Sequence, residues 1–315
     1  MKEFEYIRNY IYKLDHDSLI GDDAAIINCK EKKLLITKDI LIEDVHFFKQ
    51  YNPNILAKKA LRSNLSDIAA MGATPYGYCL GLVLPNNISE DWWENFTDSL
   101  KEEHEKFNIK LLGGDTTSHK QDKIIISITA FGTSNGNVLK RSGAKIGDSI
   151  YVSGNIGDAA LGLLIYQNII KKNYCNLKNK YDLPQPRINL GISINKIASS
   201  CIDISDGLIQ DIEHICNSSQ VGASIYLDKI PLSNEAKEII DNTPQYINNI
   251  LSGGDDYELI FTINPKFSHL IQEISRKNEV KISKIGKITP GHYVTLYDHN
   301  RNIITLNNKG FNHFT

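Results

Sequence analysis

The chain has 315 residues, 41% of them hydrophobic and 23% charged, with a formal net charge of −2. That length supports two domains and a large core, and the near-neutral balance offers no basic surface for nucleic acid. No apolar run approaches a membrane span, which excludes an integral membrane protein of the helical kind.

The opening Met1-Lys2-Glu3-Phe4-Glu5-Tyr6-Ile7-Arg8 lacks the apolar core of a signal peptide. Cys29, Cys79, Cys175, Cys201 and Cys216 are odd in number and contain no Cys-x-x-Cys pair, so they read as reduced thiols rather than a disulfide framework or zinc site. A cytoplasmic setting is expected. Phe4, Ile7, Tyr10, Ile11 and Leu14 recur at helical spacing and predict an amphipathic helix over residues 2–14. Gly21-Asp22-Asp23 is a turn into a short strand, and a second strand over residues 33–37 delivers Lys38 and Asp39 at its end.

Positions 57, 60, 61, 64, 65, 68 and 72 then repeat at helical spacing, so residues 56–72 read as a helix with a buried stripe, stopped by Gly72 and Pro75. Asp67 lies two turns after Ala60 and points with that stripe, where a carboxylate is expensive unless a cation meets it. Residues 77–84 form a third strand whose unbroken apolarity predicts cover on both faces. A helix follows over 89–107, capped by Ser89, with Glu90 and Asp91 at its positive end. Lys110-Leu111-Leu112 enters a tight turn, Gly113-Gly114-Asp115-Thr116-Thr117, and residues 124–131 carry the strongest strand signal.

Between 134 and 148 Ser, Asn, Gly and Lys dominate, which divides the chain into domains 1–140 and 141–315. Beyond that boundary strands alternate with longer helices, the pattern of α/β (α+β) architecture. Strands are expected at 149–152, 201–204, 222–227, 258–263, 281–288 and 292–297. Helices are expected at 157–170, 187–199, 207–218, 233–241 and 266–278, with residues 171–180 a polar surface connection.

Six acids stand out: Asp23, Asp39, Asp67, Asp115, Asp203 and Asp206, each at a strand end, a helix end or a glycine turn. Ligand sites of α/β proteins gather at such strand ends. Singly, each has an ordinary explanation as a cap or turn former. Six carboxylates on one surface would repel, however, and need hard cations; short Asp side chains on stiff backbone suit the tight shell of Mg²⁺. No His or Cys is grouped with them, which argues against zinc or iron. Magnesium ligated only by oxygen is typical of sites that bind phosphates. Gly113-Gly114 and the helix start at Gly157 offer backbone to phosphate, and Arg141 offers a forked cation. The sequence contains no P-loop, no kinase-type catalytic loop and no Gly-x-Gly-x-x-Gly after a strand.

Six segments occur in one order: Gly21-Asp22-Asp23-Ala24-Ala25, Asn64-Leu65-Ser66-Asp67-Ile68-Ala69-Ala70-Met71-Gly72-Ala73, Gly113-Gly114-Asp115-Thr116-Thr117, Arg141-Ser142-Gly143-Ala144-Lys145, Ile202-Asp203-Ile204-Ser205-Asp206-Gly207-Leu208 and Gly253-Gly254-Asp255-Asp256-Tyr257-Glu258-Leu259. Together they resemble the thiamine-monophosphate kinase family, within the superfamily of aminoimidazole ribonucleotide synthetase and selenophosphate synthetase. The resemblance runs from about Gly21 to the terminal Lys309-Gly310-Phe311-Asn312-His313-Phe314.

The resemblance implies a two-domain aminoimidazole ribonucleotide synthetase-like fold and a homodimer whose N-terminal sheets join in an interface barrel. It implies ATP-dependent phosphorylation of thiamine monophosphate, with several Mg²⁺ ions. By position it places magnesium at Asp23, Thr37, Lys38, Asp39, Asp67, Asp115, Asp203 and Asp206. It places ATP at Gly114, Asp115, Arg141 and Ser205, and thiamine monophosphate at His46, Asp255 and Phe311. Two departures matter. The family commonly has Ser-Thr-Asp where this chain has Thr37-Lys38-Asp39, and Gly-Gly-Glu-Asp where it has Gly253-Gly254-Asp255-Asp256. No Asp-His or Ser-His activating pair is evident, which suits a phosphate acceptor already ionised; Arg141 would then act as an electrostatic stabiliser and no residue as a base. The rival expectations are a sister ATP-dependent activity of the superfamily and a noncatalytic nucleotide-binding dimer.

Overall fold

The computed structural model describes residues 21–30, 32–306 and 310–311. The helix expected over 2–14 lies outside them, as does the C-terminal motif apart from Gly310 and Phe311. The N-terminal half runs β1 (Ala25–Cys29), β2 (Lys32–Ile42), α1 (Pro53–Ala70), β3 (Thr74–Pro85), α2 (Glu90–Phe107), β4 (Lys110–His119) and β5 (Ile125–Ser134). Its strands form one sheet in the order β1-β2-β5-β3-β4, antiparallel except for the β3–β4 pair, which α2 connects. The sheet is open, with β1 and β4 at its edges; no barrel closes within one chain among the described residues. Gly113 through Thr117, expected as a turn, instead run inside β4. Gly114 pairs with Leu80 at a spacing where a Cβ would meet the Leu80 carbonyl oxygen at 2.0 Å.

The second half contributes β6 (Ser149–Ser153), α3 (Asp158–Tyr166), α4 (Cys175–Asp182), α5 (Ile188–Ile194), β7 (Ala198–Asp203), α6 (Leu208–Ser219), β8 (Gly222–Tyr226), α7 (Asn234–Asn242), α8 (Ile247–Ser252), β9 (Leu259–Ile263), α9 (Ile271–Asn278), β10 (Ile282–Thr289), β11 (Val294–Tyr297) and β12 (Ile303–Ile304). Its sheet has the order β12-β11-β8-β10-β6-β9-β7 and is antiparallel except between β11 and β8. Three expectations shift. The helix from 157 ends at Tyr166, the connection expected over 171–180 contains α4, whose Leu177 and Tyr181 are buried, and the helix expected over 187–199 stops at Ile194 because β7 takes up the chain from Ala198.

Helix α1 is the joint between the halves. Asn52 caps it by accepting from the Asn54 amide, Pro53 opens it, and Gly72 (φ +64°) turns the chain away after Met71. Leu56, Ala60, Leu61 and Leu65 pack on Tyr78, Leu82, Ile126 and Ile128 of the sheet and on Phe96 and Leu100 of α2. Ala69 and Ala70 pack instead with Leu190, Cys201 and Phe261 of the second half. Gly191 lets α5 cross so closely that a Cβ there would lie 2.0 Å from the Ala69 carbonyl oxygen. Burial on so many sides explains why α1 is more than a stripe: Lys59, Arg62, Ser63, Asn64 and Ser66 are buried too. By contrast β3, expected to be covered on both faces, alternates between buried and half-exposed residues, because α1 and α2 cover one face only.

The buried polar residues of α1 are matched. Arg62 Nε and Nη2 donate to the two carboxylate oxygens of Glu103 on α2, at 2.6 and 2.7 Å, and Nη1 donates to the Pro184 carbonyl at 3.2 Å. Both side chains are almost wholly buried. Removing one partner therefore strands a charge: Arg62→Met alone is expected to lower unfolding free energy by about 3–5 kcal/mol, and the double change Arg62→Met with Glu103→Leu to recover most of that loss. Urea denaturation of the two variants checks this through the midpoint.

Candidate active site

Three carboxylates from three elements meet beside α1. Asp23 precedes β1, Asp67 sits in the last turn of α1 and Asp203 ends β7; each offers an oxygen within 4.8 Å of the other two. Thr37, on β2, donates to Asp67 Oδ2 at 2.5 Å, and Ser66 donates to Asp203 Oδ2 at 2.6 Å. The cation that meets them is Arg141, whose Nε and Nη2 donate to Asp23 Oδ1 at 3.1 and 2.6 Å. Asp22 accepts from the Arg141 amide at 2.9 Å and so fixes where that guanidinium starts. The second oxygen of Asp23, Oδ2, is buried with no hydrogen-bond partner. An orphaned carboxylate oxygen among other carboxylates fits a hard cation.

The electrostatics agree with that fit. Burial pushes Asp203 up to about 8, with the Asp23 charge adding to it. Burial raises Asp39 to about 6 against a hydrogen bond from Ser63, with Asp206 raising it further. Asp67 is raised well above the usual carboxylate range by burial and then by the charges of Asp39, Asp203 and Asp23. Asp23 is raised by burial, which outweighs the opposing Arg141. The one guanidinium bonded to these acids among the described residues is too little positive charge for this many of them.

Not every expected residue joins. Along β2, Thr37 and Asp39 alternate with Lys38, so Lys38 points to the other face of the sheet and donates to Ser127 Oγ at 2.6 Å. Ile40, Ser127, Gly81 and Asp115 are paired in one row across β2, β5, β3 and β4, which puts Asp115 on the Lys38 face. Three strand spacings separate its backbone from β2, about 14 Å. Asp115 is exposed, and its Oδ1 accepts from the Thr116 amide. Gly114 lies beside it in the same edge strand.

The remaining expected residues surround the end of β7. Ser205 is exposed, and its carbonyl accepts from the Asp255 amide at 3.0 Å. Gly254 packs there so closely that a Cβ would lie 2.0 Å from the Ser205 oxygen. The exposed Phe311 donates its amide to the Asp206 carbonyl at 3.0 Å, and Gln210 Nε2 bridges from Asp206 Oδ2 to the Phe311 carbonyl. His46, half-buried in the turn after β2, accepts from the Ile42 amide through Nδ1, so the neutral ring carries its proton on Nε2. Asp255 is paired with Lys59.

Sequence reasoning missed several groups. Asp206, Asp211 and His214 form a second set with ligand atoms within 4.8 Å of one another. Asp211 and His214 are one turn apart on α6, a spacing that was readable. Asp211 Oδ2 also accepts the Asp206 and Gly207 amides, at 3.3 and 3.1 Å, and so closes the start of that helix. Burial, then the charge of Arg141, lowers His214 to about 4. The start of α3 is not open to phosphate as expected, because the Gly157 and Ala159 amides donate to the Asp256 carboxylate at 2.6 and 3.2 Å.

Residues 21–134 match the AIR synthase related protein, N-terminal domain, and residues 145–299 match its C-terminal domain. The thiamine-monophosphate kinase of Buchnera aphidicola subsp. Acyrthosiphon pisum is 41% identical over 99% of this chain and 98% of its own length. That of Escherichia coli is 38% identical, again over 99% and 98%. A solved structure of AaThiL complexed with AMPPCP and TMP gives a TM-score of 0.87 at 32% identity, covering 99% of this chain and 97% of that one. With both domains matched and relatives this similar along nearly its whole length, the chain belongs to the AIR synthase related family and, within it, to the thiamine-monophosphate kinases.

Proposed function

We propose that the chain transfers the γ-phosphoryl group of ATP to thiamine monophosphate, giving thiamine diphosphate and ADP in thiamine biosynthesis. The observation that carries this reading is the buried meeting of Asp23, Asp67 and Asp203 around an orphaned carboxylate oxygen, in a chain whose relatives are thiamine-monophosphate kinases. A related structure complexed with AMPPCP and TMP supports the pairing of nucleotide and acceptor.

Asp23, Asp67 and Asp203 would hold Mg²⁺, with Asp39 and Asp206 beside them and Thr37 orienting Asp67. Bound there, magnesium would offset the charge of two phosphate groups brought together. Lys38, on the far face of the sheet, is left with its backbone as the only route to that metal. Arg141, held by Asp22 and Asp23, would turn its remaining donors to the nucleotide, alongside Gly114, Asp115 and Ser205. His46, Asp255 and Phe311 would frame the acceptor. The attacking oxygen belongs to a phosphate already ionised near neutral pH, so the transfer is direct and in line and needs no protein base or phosphoenzyme. In this reading residues 1–140 supply the ATP and metal cradle and residues 141–315 complete the site. The five cysteines, none in a disulfide among the described residues, suit a cytoplasmic setting.

A homodimer accounts for the half-exposed face of the first sheet and for its open edge. Leu111 and Leu112 on the edge strand β4, with Tyr76 on the adjacent β3 and Ile40 farther across the sheet on β2, are exposed apolar residues where a second copy would close a barrel. It also accounts for Asp115, which faces that side.

ADP formation from ATP and Mg²⁺ is expected only with thiamine monophosphate, not with thiamine or without acceptor, and Asp67→Asn should reduce it by about a hundredfold or more. Another acceptor would move the chain to a sister activity, and tight ATP binding without turnover would make it a scaffold. Acid quenching during turnover should recover no phosphorylated protein.

Magnesium should also appear in stability. The folded values of Asp39 (about 6) and Asp203 (about 8) exceed the unfolded 3.8, so without metal the folded state holds more protons. Their contribution is full below about pH 4 and lost as pH rises through 6 to 8. Mg²⁺ should therefore raise the melting temperature more at about pH 8 than at about pH 5, and less in Asp203→Asn. An equal increment at both pH values would contradict the metal assignment. For the assembly, Leu112→Glu should shift sedimentation from dimer to monomer.

A further inference from the structure

One buried ammonium ties together the two segments that would frame the acceptor. Lys59, two turns before Asp67 on α1, has a side chain only 2% exposed. Its Nζ donates to Asp255 Oδ2 and to the Tyr181 carbonyl, both at 2.9 Å, and lies 3.4 Å from the centroid of the Tyr181 ring. Tyr181 passes the constraint on, because its hydroxyl donates to the His46 carbonyl at 3.2 Å. Asp255 is held from the other side as well: its Oδ1 accepts the Tyr257 hydroxyl at 3.2 Å.

The backbone at Asp255 leaves little slack. Asp255 (φ +68°) and Tyr257 (φ +51°) both adopt the left-handed region that side chains other than glycine rarely occupy. Their amides are pinned to the Ser205 and Ile204 carbonyls at 3.0 and 2.8 Å. An Asp has only a short side chain with which to find its partner. Its carboxylate therefore stands where the backbone and Lys59 put it. A lysine fully out of water, spending two donors on oxygens and its charge on a carboxylate and a ring, is an unusual investment for a residue with only a packing role.

We propose that Lys59 is a positioning residue for the acceptor: it fixes the Asp255 carboxylate directly and the His46 segment through Tyr181. Recognition of thiamine monophosphate then depends on a side chain that does not touch it. The inference rests on the acceptor reading above, in which His46 and Asp255 meet the substrate. It separates the two substrates, since ATP is assigned to Gly114, Asp115, Arg141 and Ser205, none of which bonds to Lys59.

The test is steady-state kinetics of the full chain with Mg²⁺, varying thiamine monophosphate at saturating ATP and the reverse. Lys59→Met should raise KM for thiamine monophosphate at least about tenfold, the loss expected for a charge-assisted hydrogen bond, and leave KM for ATP within about twofold. Adding Asp255→Asn to Lys59→Met should cost little more than Lys59→Met alone, because the two act as one unit. Tyr181→Phe removes only the hydroxyl that reaches His46 and keeps the buried lysine satisfied. It should raise the same KM about threefold, and it decides the matter if Lys59→Met does not fold. A KM for thiamine monophosphate that is unchanged in a folded variant, or one that moves together with that for ATP, overturns the inference alone. Absence of thiamine-monophosphate-dependent turnover in the unaltered chain overturns the functional reading, and the inference falls with it.

Discussion

Like charges brought together out of water are the constraint on which this structure is built. Asp23, Asp67 and Asp203 come from a loop, a helix and a strand end of different halves, and among the described residues Arg141 is the cation bonded to them. Hydrophobic packing alone would separate such groups, so the surrounding elements must be stiff enough to hold them. Helix α1 supplies that stiffness. It is covered by the first sheet, by α2 and by the second half, and its own buried cations are already committed to Glu103, Asp255 and backbone carbonyls. They cannot swing round to neutralise the acids.

The same stiffness explains how the two halves meet. A glycine at 191 lets α5 touch the α1 backbone, and Lys59 and Arg62 donate to the carbonyls of Tyr181 and Pro184. The end of α4 is therefore bonded to α1 at two buried points. The candidate site lies along a joint fixed by hydrogen bonds that water cannot easily replace.

Much of this was legible in the sequence, and what was not has identifiable causes. Helix α1 was readable from its spacing, and Asp67 was readable as an acid that needed company. The company was not, because Asp203 lies 136 residues away and spacing carries no information at that range. Residues 113–117 looked like a turn because Gly, Asp and Thr are poor strand formers in the middle of a sheet. They form an edge strand because β3 offers a continuous partner and Gly114 tolerates its closeness. Helix α4 looked like a surface connection since few of its residues are apolar; Leu177 and Tyr181 turn inward and Lys59 holds the Tyr181 carbonyl. The start of α3 looked open to phosphate because its occupant, Asp256, comes 99 residues later.

The Lys59–Asp255 pair spans 196 residues, and Asp23 must wait for Asp203. During synthesis, at about 5–20 residues per second, Lys59 leaves the ribosome some ten seconds or more before Asp255. Until then α1 has Arg62 matched by Glu103 but carries Lys59 without Asp255 and Asp67 without Asp203. A chain stopped before β7 would thus carry the first sheet with Asp23 and Asp67 but without Asp203, and so without the assembled cluster of acids.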